Sequence, residues 1–286
     1  MPSDVGLDRL RQVAAILAVA LVIFSSSLRT SETSAHLASL NAAPTVRERV
    51  ELLQIVPSTA ADFPLAVSRA RAFSGAGSSA LAFVVGSAAA HAFTPLSSAA
   101  VSSFAVDCAD AETPSVDAWH SGPRIQSAAS CRVFSGLCAA LRKYDPKFVA
   151  VLRPDAVLDA DEFLRVSRGA KDGNIWGPLR LRRATDDEGK RWYPNKPYWP
   201  PHTDSSAIVF TADVASALCA LHESPLPLKL HGPPEVFIGI VLSALEGLTW
   251  NDAELSRVAD GACPKTLVAE GFRERDFEAC AKRGEP

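Results

Sequence analysis

The chain has 286 residues, 48% hydrophobic and 21% charged, enough to bury one sizeable core with appendages. A net charge of -3 and an isoelectric point near 6.1 give no basic field of the kind that draws nucleic acid, so nucleic-acid binding is set aside. Bulk disorder is excluded by the same apolar content.

The N-terminal region reads as a targeting segment. "VAAILAVALVIF" (13–24) is an unbroken apolar run behind Arg9 and Arg11, and with Leu10 and Leu28 it approaches the about 17 to 20 residues a spanning helix needs. The basic flank favours a cytoplasmic tail (1–12), a signal anchor (13–28) and a luminal body. Small serines at 25–27 keep a cleaved signal peptide open as the alternative. Both readings put the body in an oxidising lumen, which suits six cysteines, an even number with no C-x-x-C pair. No N-x-S/T sequon occurs.

Residues 29–61, rich in Ser, Ala and Thr, are expected to form a stem, with 45–56 as a short helix and the folded domain over 62–286. "SALAFVVG" (79–86) and "VSSFAVDC" (101–108) are expected strands. Residues 127–144 carry Val133, Leu137, Leu141 and Tyr144 at helical spacing, with Pro146 as the stop and "KFVAVL" (147–152) as the next strand. Strand, helix and strand in that order predict an α/β fold, whose ligands bind beyond the strands' carboxyl ends. "RPDAVLD" (153–159) follows such an end. "NIWGPLRLRR" (174–183) and "SSAIVFTADVASALCAL" (205–221) each hold a further strand, the second running into a helix that Asp213 is placed to cap. Four prolines make "RWYPNKPYWPPHTD" (191–204) an irregular loop, and "PPEVFIGIVLSAL" (233–245) reads as a loop entering an apolar helix.

Three of these stretches, in order, resemble the β-1,3-glycosyltransferases of glycosyltransferase family 31, the galactosyltransferase and fringe-like group. "VLRPDAVLD" resembles that family's "KTDDDVFVN" acidic segment, with Asp155 at the last acidic position and Arg153 and Pro154 at the other two. "RWYPNKPYWPPHTDSSAIVFTAD" resembles its "W…Y…YPPYCSGGGYVLS" block, and "PEVFIG" its "EDVxVG", with Glu235 at the aspartate. "SRARAF" (68–73) is the sole basic candidate for a segment the family has before its first strand, and no histidine follows Glu235.

The resemblance implies a GT-A-like nucleotide-sugar-binding domain with a mixed, mostly parallel sheet, in a single-pass type II Golgi membrane protein. It implies inverting transfer of galactose or N-acetylhexosamine from a UDP-sugar to a glycan hydroxyl in a β-1,3 linkage. A divalent cation, Mn²⁺ or Mg²⁺, is then expected on Asp155 and Asp159, because carboxylate oxygen suits these hard ions and the ion stabilises the leaving diphosphate. Glu235 is the expected general base, and Trp192, Tyr198, Trp199 and Asp204 the expected acceptor contacts. Three alternatives stay beside these roles. Asp155 and Asp159 are also ordinary turn-formers, Arg153 can pair with Asp155 or meet a phosphate directly, and Glu235 can simply serve a helix N-terminus. A catalytically degenerate luminal carbohydrate-binding or chaperone-like protein of the same fold is the alternative function.

Overall fold

The computed structural model describes residues 47–73, 78–108, 128–180, 202–203, 206–223, 238–239, 241–242, 245, 247–253, 255–257 and 267–281. The expected anchor, Trp192, Tyr198, Trp199, Asp204 and Glu235 lie outside these residues. Among the described residues no helix is long and apolar enough to cross a membrane. All of them belong to one compact unit spanning 47–286.

Seven strands form the main sheet: β1 (Glu48–Ser58), β2 (Ser79–Gly86), β3 (Val101–Val106), β4 (Tyr144–Leu152), β6 (Asn174–Gly177), β9 (Ala207–Thr211) and β10 (Thr249–Asp252). Their spatial order is β10-β6-β9-β4-β1-β2-β3. Only β9 runs antiparallel to its neighbours, so the sheet is mixed and mostly parallel, as expected. Smaller pairings join β7 (Leu179–Arg180) to β8 (His202–Thr203), and β11 (Leu255–Arg257) and β5 (Ala156–Leu158) to β12 (Val268–Glu270). The α-helices whose bounds lie among the described residues are α1 (Phe63–Ala72), α2 (Ala90–Phe93), α3 (Ala128–Lys143), α4 (Ala160–Val166), α5 (Ala212–His222) and α6 (Glu274–Ala281).

Alternation along β1 explains the layering. Leu53 and Ile55 point into a core shared with Phe134 and Leu137 of α3 and Val214 and Leu218 of α5. Leu52 and Val56 point the other way, into a core with Ala66 of α1, Phe93 of α2 and Phe163 of α4. Helices thus cover both faces, which is why β2 is a near-continuous apolar run. At Gly136, α3 presses so close to β2 that an added Cβ would lie 2.5 Å from both Val84 methyls. Disulfides Cys108–Cys131 and Cys138–Cys219 tie α3 to the end of β3 and to α5, and Cys280 is also disulfide-bonded.

Several expectations are corrected. The stretch expected as a stem helix is β1, a central strand, so the compact unit begins at 47 and not at 62. Pro146 does not stop α3; the chain passes at Tyr144 directly into β4, where Pro146 pairs with Val50. Asp213 does not cap α5. Thr211 occupies the N-cap, and the Asp213 carboxylate accepts from the Gly173 amide at 2.9 Å.

Candidate functional site

The order of the parallel strands brings the carboxyl ends of β1 and β4 side by side. The chain builds outward from β1 through β2 to β3, then returns to lay β4 on the other side of β1. The connections after β1 and β4 start at neighbouring carboxyl ends, the usual ligand position in such sheets, and both lead to the face that packs Ala66 of α1 and Phe163 of α4. The register Ile55↔Val151 brings Ser58 and Leu152 to that same edge.

On the β1 side, the Asp62 carboxylate accepts from the Thr59 amide at 2.7 Å and the Thr59 hydroxyl at 2.8 Å, which pins the turn into α1. On the β4 side, Arg153-Pro154-Asp155-Ala156 is a tight turn closed by the Ala156 amide on the Arg153 carbonyl at 3.1 Å. Proline presets the backbone at its second position, and that explains the "RPDA" sequence.

This turn is braced from behind. Arg69 of α1 is buried and donates to the Ala156 carbonyl at 2.7 Å, the Arg153 carbonyl at 3.3 Å and Gln54 Oε1 at 3.5 Å. Its guanidinium also lies 5.8 Å from the centre of the Phe277 ring. Burial pushes Arg69 down to about 10, with the Asp155 charge acting in the opposite direction. From the C-terminal side, Phe272 donates its amide to the Asp155 carbonyl at 3.0 Å, and β12 pairs along β5.

Each predicted residue on this turn has a definite place. Arg153 forks onto Asp155, Nε to Oδ1 at 2.8 Å and a terminal nitrogen to Oδ2 at 2.6 Å. Its other terminal nitrogen lies 3.6 Å from Glu270 Oε2. The Arg153 side chain is 41% exposed, Asp155 25% and Glu270 10%, so the guanidinium is the outermost group. Asp159 caps α4, accepting from the Glu162 amide at 3.0 Å. Sequence reasoning missed Glu270, and it noticed Arg69 only as part of a basic "SRARAF" segment expected before the first strand; the segment in fact follows β1.

The expected divalent ion does not fit this arrangement. Both Asp155 oxygens are held by a guanidinium, and Asp159 stands at the far end of β5, about 13 Å along an extended strand. Asp155 could ligate a divalent ion only by releasing that guanidinium. Among the described residues, the one trio of ligand-type side chains within mutual reach is Cys138, Cys219 and Glu223, where the disulfide removes both thiolates.

No protein-family model and no curated protein matches the chain. Among solved structures it is similar to the galactosyltransferase LgtC in complex with donor and acceptor sugar analogues, at 10% identity and TM-score 0.41, covering 82% of this chain and 96% of that one. It is similar to Rv0371c of Mycobacterium tuberculosis H37Rv complexed with manganese, at 13% identity and TM-score 0.37, covering 82% and 99%. A nucleotidyl transferase from Methanothermobacter is similar at 13% identity and TM-score 0.36, covering 70% and 85%. Likeness at this level assigns neither activity nor ligand.

Proposed function

We propose that the chain is an inverting glycosyltransferase that moves galactose or N-acetylhexosamine from a UDP-sugar to a glycan hydroxyl in a β-1,3 linkage, held on the Golgi membrane by residues 13–28. The observation that carries this reading is a partly exposed arginine at the carboxyl end of β4, at the position where the sequence resembles the family's donor-site segment. Breaking the bond from sugar to UDP leaves charge on the diphosphate, and a guanidinium fork matches phosphate geometry. The resemblance also implies Mn²⁺ or Mg²⁺; to serve one, Asp155 would have to release Arg153 and Asp159 its helix cap, so no step is routed through a metal. Glu235 takes the acceptor proton on the opposite face of the sugar, the two-sided arrangement that gives inversion. Trp192, Tyr198, Trp199 and Asp204 hold the acceptor.

A degenerate luminal carbohydrate-binding or chaperone-like protein is the second reading, favoured by the closed Arg153–Asp155 pair in place of an open acidic triplet. UDP release with a panel of galactose- and hexosamine-terminated acceptors separates the two. In the proposed enzyme, Glu235→Gln keeps UDP affinity and loses about 10² to 10⁴-fold in turnover. A Glu235→Gln variant with the parent rate refutes the base assignment. A parent chain that binds UDP and transfers to no acceptor refutes the enzyme.

A further inference from the structure

We propose that Cys108–Cys131 is a reversible redox disulfide, opened and closed by a dithiol while the chain stays folded, with the Ser135 hydroxyl as the positioning group for the exchange. The inference is independent of the UDP-sugar reading.

Three observations carry it. Cys108 and Cys131 are both half-buried, whereas Cys138 of the second bridge is only 2% exposed. A thiolate must reach a sulfur to attack it, so the first bridge is the one open to a dithiol in solution. Next, both sulfurs already have the partners that their reduced forms need. The Ser135 hydroxyl lies 3.8 Å from Cys108 Sγ and 4.0 Å from Cys131 Sγ, and the Asp107 carbonyl lies 3.9 Å from Cys131 Sγ. A disulfide sulfur carries no hydrogen, so only the reduced Cys131 thiol can donate to that carbonyl. His222 Nε2 is 3.2 Å from the same hydroxyl, and with its proton on that nitrogen it leaves the hydroxyl hydrogen for a sulfur. Stabilising the reduced form in this way favours opening of the bridge. Finally, opening it costs the fold little. Its sequence separation is 23 against 81 for Cys138–Cys219, and α3 stays docked through buried Phe134 and Leu137 and through that second bridge.

The exchange balances as two displacements. One thiolate of the dithiol attacks Cys131 Sγ, and the S–S bond breaks with its electron pair leaving on Cys108 Sγ, where the Ser135 hydroxyl donates to it. The second thiolate then attacks the dithiol's own sulfur in the mixed disulfide, closes a cyclic disulfide and releases Cys131 Sγ. Two electrons pass from the dithiol to the bridge, and the two protons the dithiol yields to water are returned to the two cysteines.

The test exposes the full chain to graded ratios of reduced to oxidised dithiothreitol, traps thiols with N-ethylmaleimide and reads each pair by peptide mass spectrometry. Far-ultraviolet circular dichroism reports the fold. Cys108 and Cys131 should be half-trapped at a ratio at least about tenfold below that for Cys138 and Cys219, with an unchanged spectrum, and should re-form their bridge when oxidised dithiothreitol is added back. Ser135→Ala should raise the ratio needed by about threefold or more, because the reduced form loses its donor. Ser135→Thr keeps the hydroxyl and should stay within about twofold of the parent. Trapping of the first pair only together with or after the second, or only with loss of the spectrum, overturns the inference. Ser135→Ala opening at the parent's ratio, or Ser135→Thr behaving like Ser135→Ala, overturns the role of the hydroxyl. Should a Ser135 variant fail to fold, the parent titration alone still decides whether the bridge is reversible.

Discussion

Replacing Arg69 by methionine should cost about 2 kcal/mol of stability, and the structure sets that figure. The short bond to the Ala156 carbonyl, from a charged donor in a buried place, contributes about 1.5 to 3 kcal/mol. The longer contacts to the Arg153 carbonyl and Gln54, with the ring of Phe277 at 5.8 Å, contribute about 1 kcal/mol more. Against this stands the cost of burying the charge. Burial disfavours the charged form, and methionine removes that cost, which offsets part of the lost bonds. Methionine restores no donor for the Ala156 carbonyl, so that bond's contribution is lost in full. The net loss of about 2 kcal/mol lowers the melting temperature by about 4 to 8 °C for a unit of this size. Alanine, which also leaves a cavity beside Phe277, should cost about 2 kcal/mol more. Urea unfolding followed by tryptophan fluorescence, with Trp176 buried in the sheet, gives both numbers. A methionine variant as stable as the parent or more so refutes the bracing role, because the charge would then be a net burden at this place.

The remaining predictions concern the scaffold. Gly136→Ala should cost about 1 to 3 kcal/mol, since α3 has to back away from the Val84 methyls 2.5 Å from the new carbon; an unchanged melting curve would refute the close approach. Replacing Cys138 and Cys219 together by serine releases a loop of sequence separation 81 and should cost about 4 kcal/mol in urea unfolding, and a loss below about 1 kcal/mol would count against the bridge. His222, which meets the Ser135 hydroxyl at 3.2 Å, has its pKa lowered by burial, with Glu223 countering. A lowered folded value means the unfolded chain takes up the proton first on acidification, so this contribution to stability is intact above pH 6.5 and is lost as pH falls from there toward the folded value. His222→Gln should therefore flatten the fall in melting temperature below about pH 6.5, and an unchanged slope would refute the assignment.

What could be read in the sequence depended on how local each cause is. β2 matches its expected bounds of 79–86 because a buried parallel strand advertises itself as an uninterrupted apolar run closed by glycine. β1 was hidden by its polar members. Glu51 and Gln54 break the apolar run of residues 50–56 into a pattern that also fits a helix, and only tertiary pairing with β2 and β4 decides for a strand. Gln54 sits on that strand, buried, at a position where it receives the Arg69 side chain, a cause invisible to any local pattern. The same division runs through the site. Arg153 and Asp155 are two residues apart across a proline turn, so their pairing was legible as an alternative to metal binding. Glu270, 115 positions after Asp155, reaches the guanidinium only because β12 pairs with β5 and sets it opposite Ala156. Acidic residues brought together in this way do not form an open metal site, because the cation between them is already supplied by the chain itself.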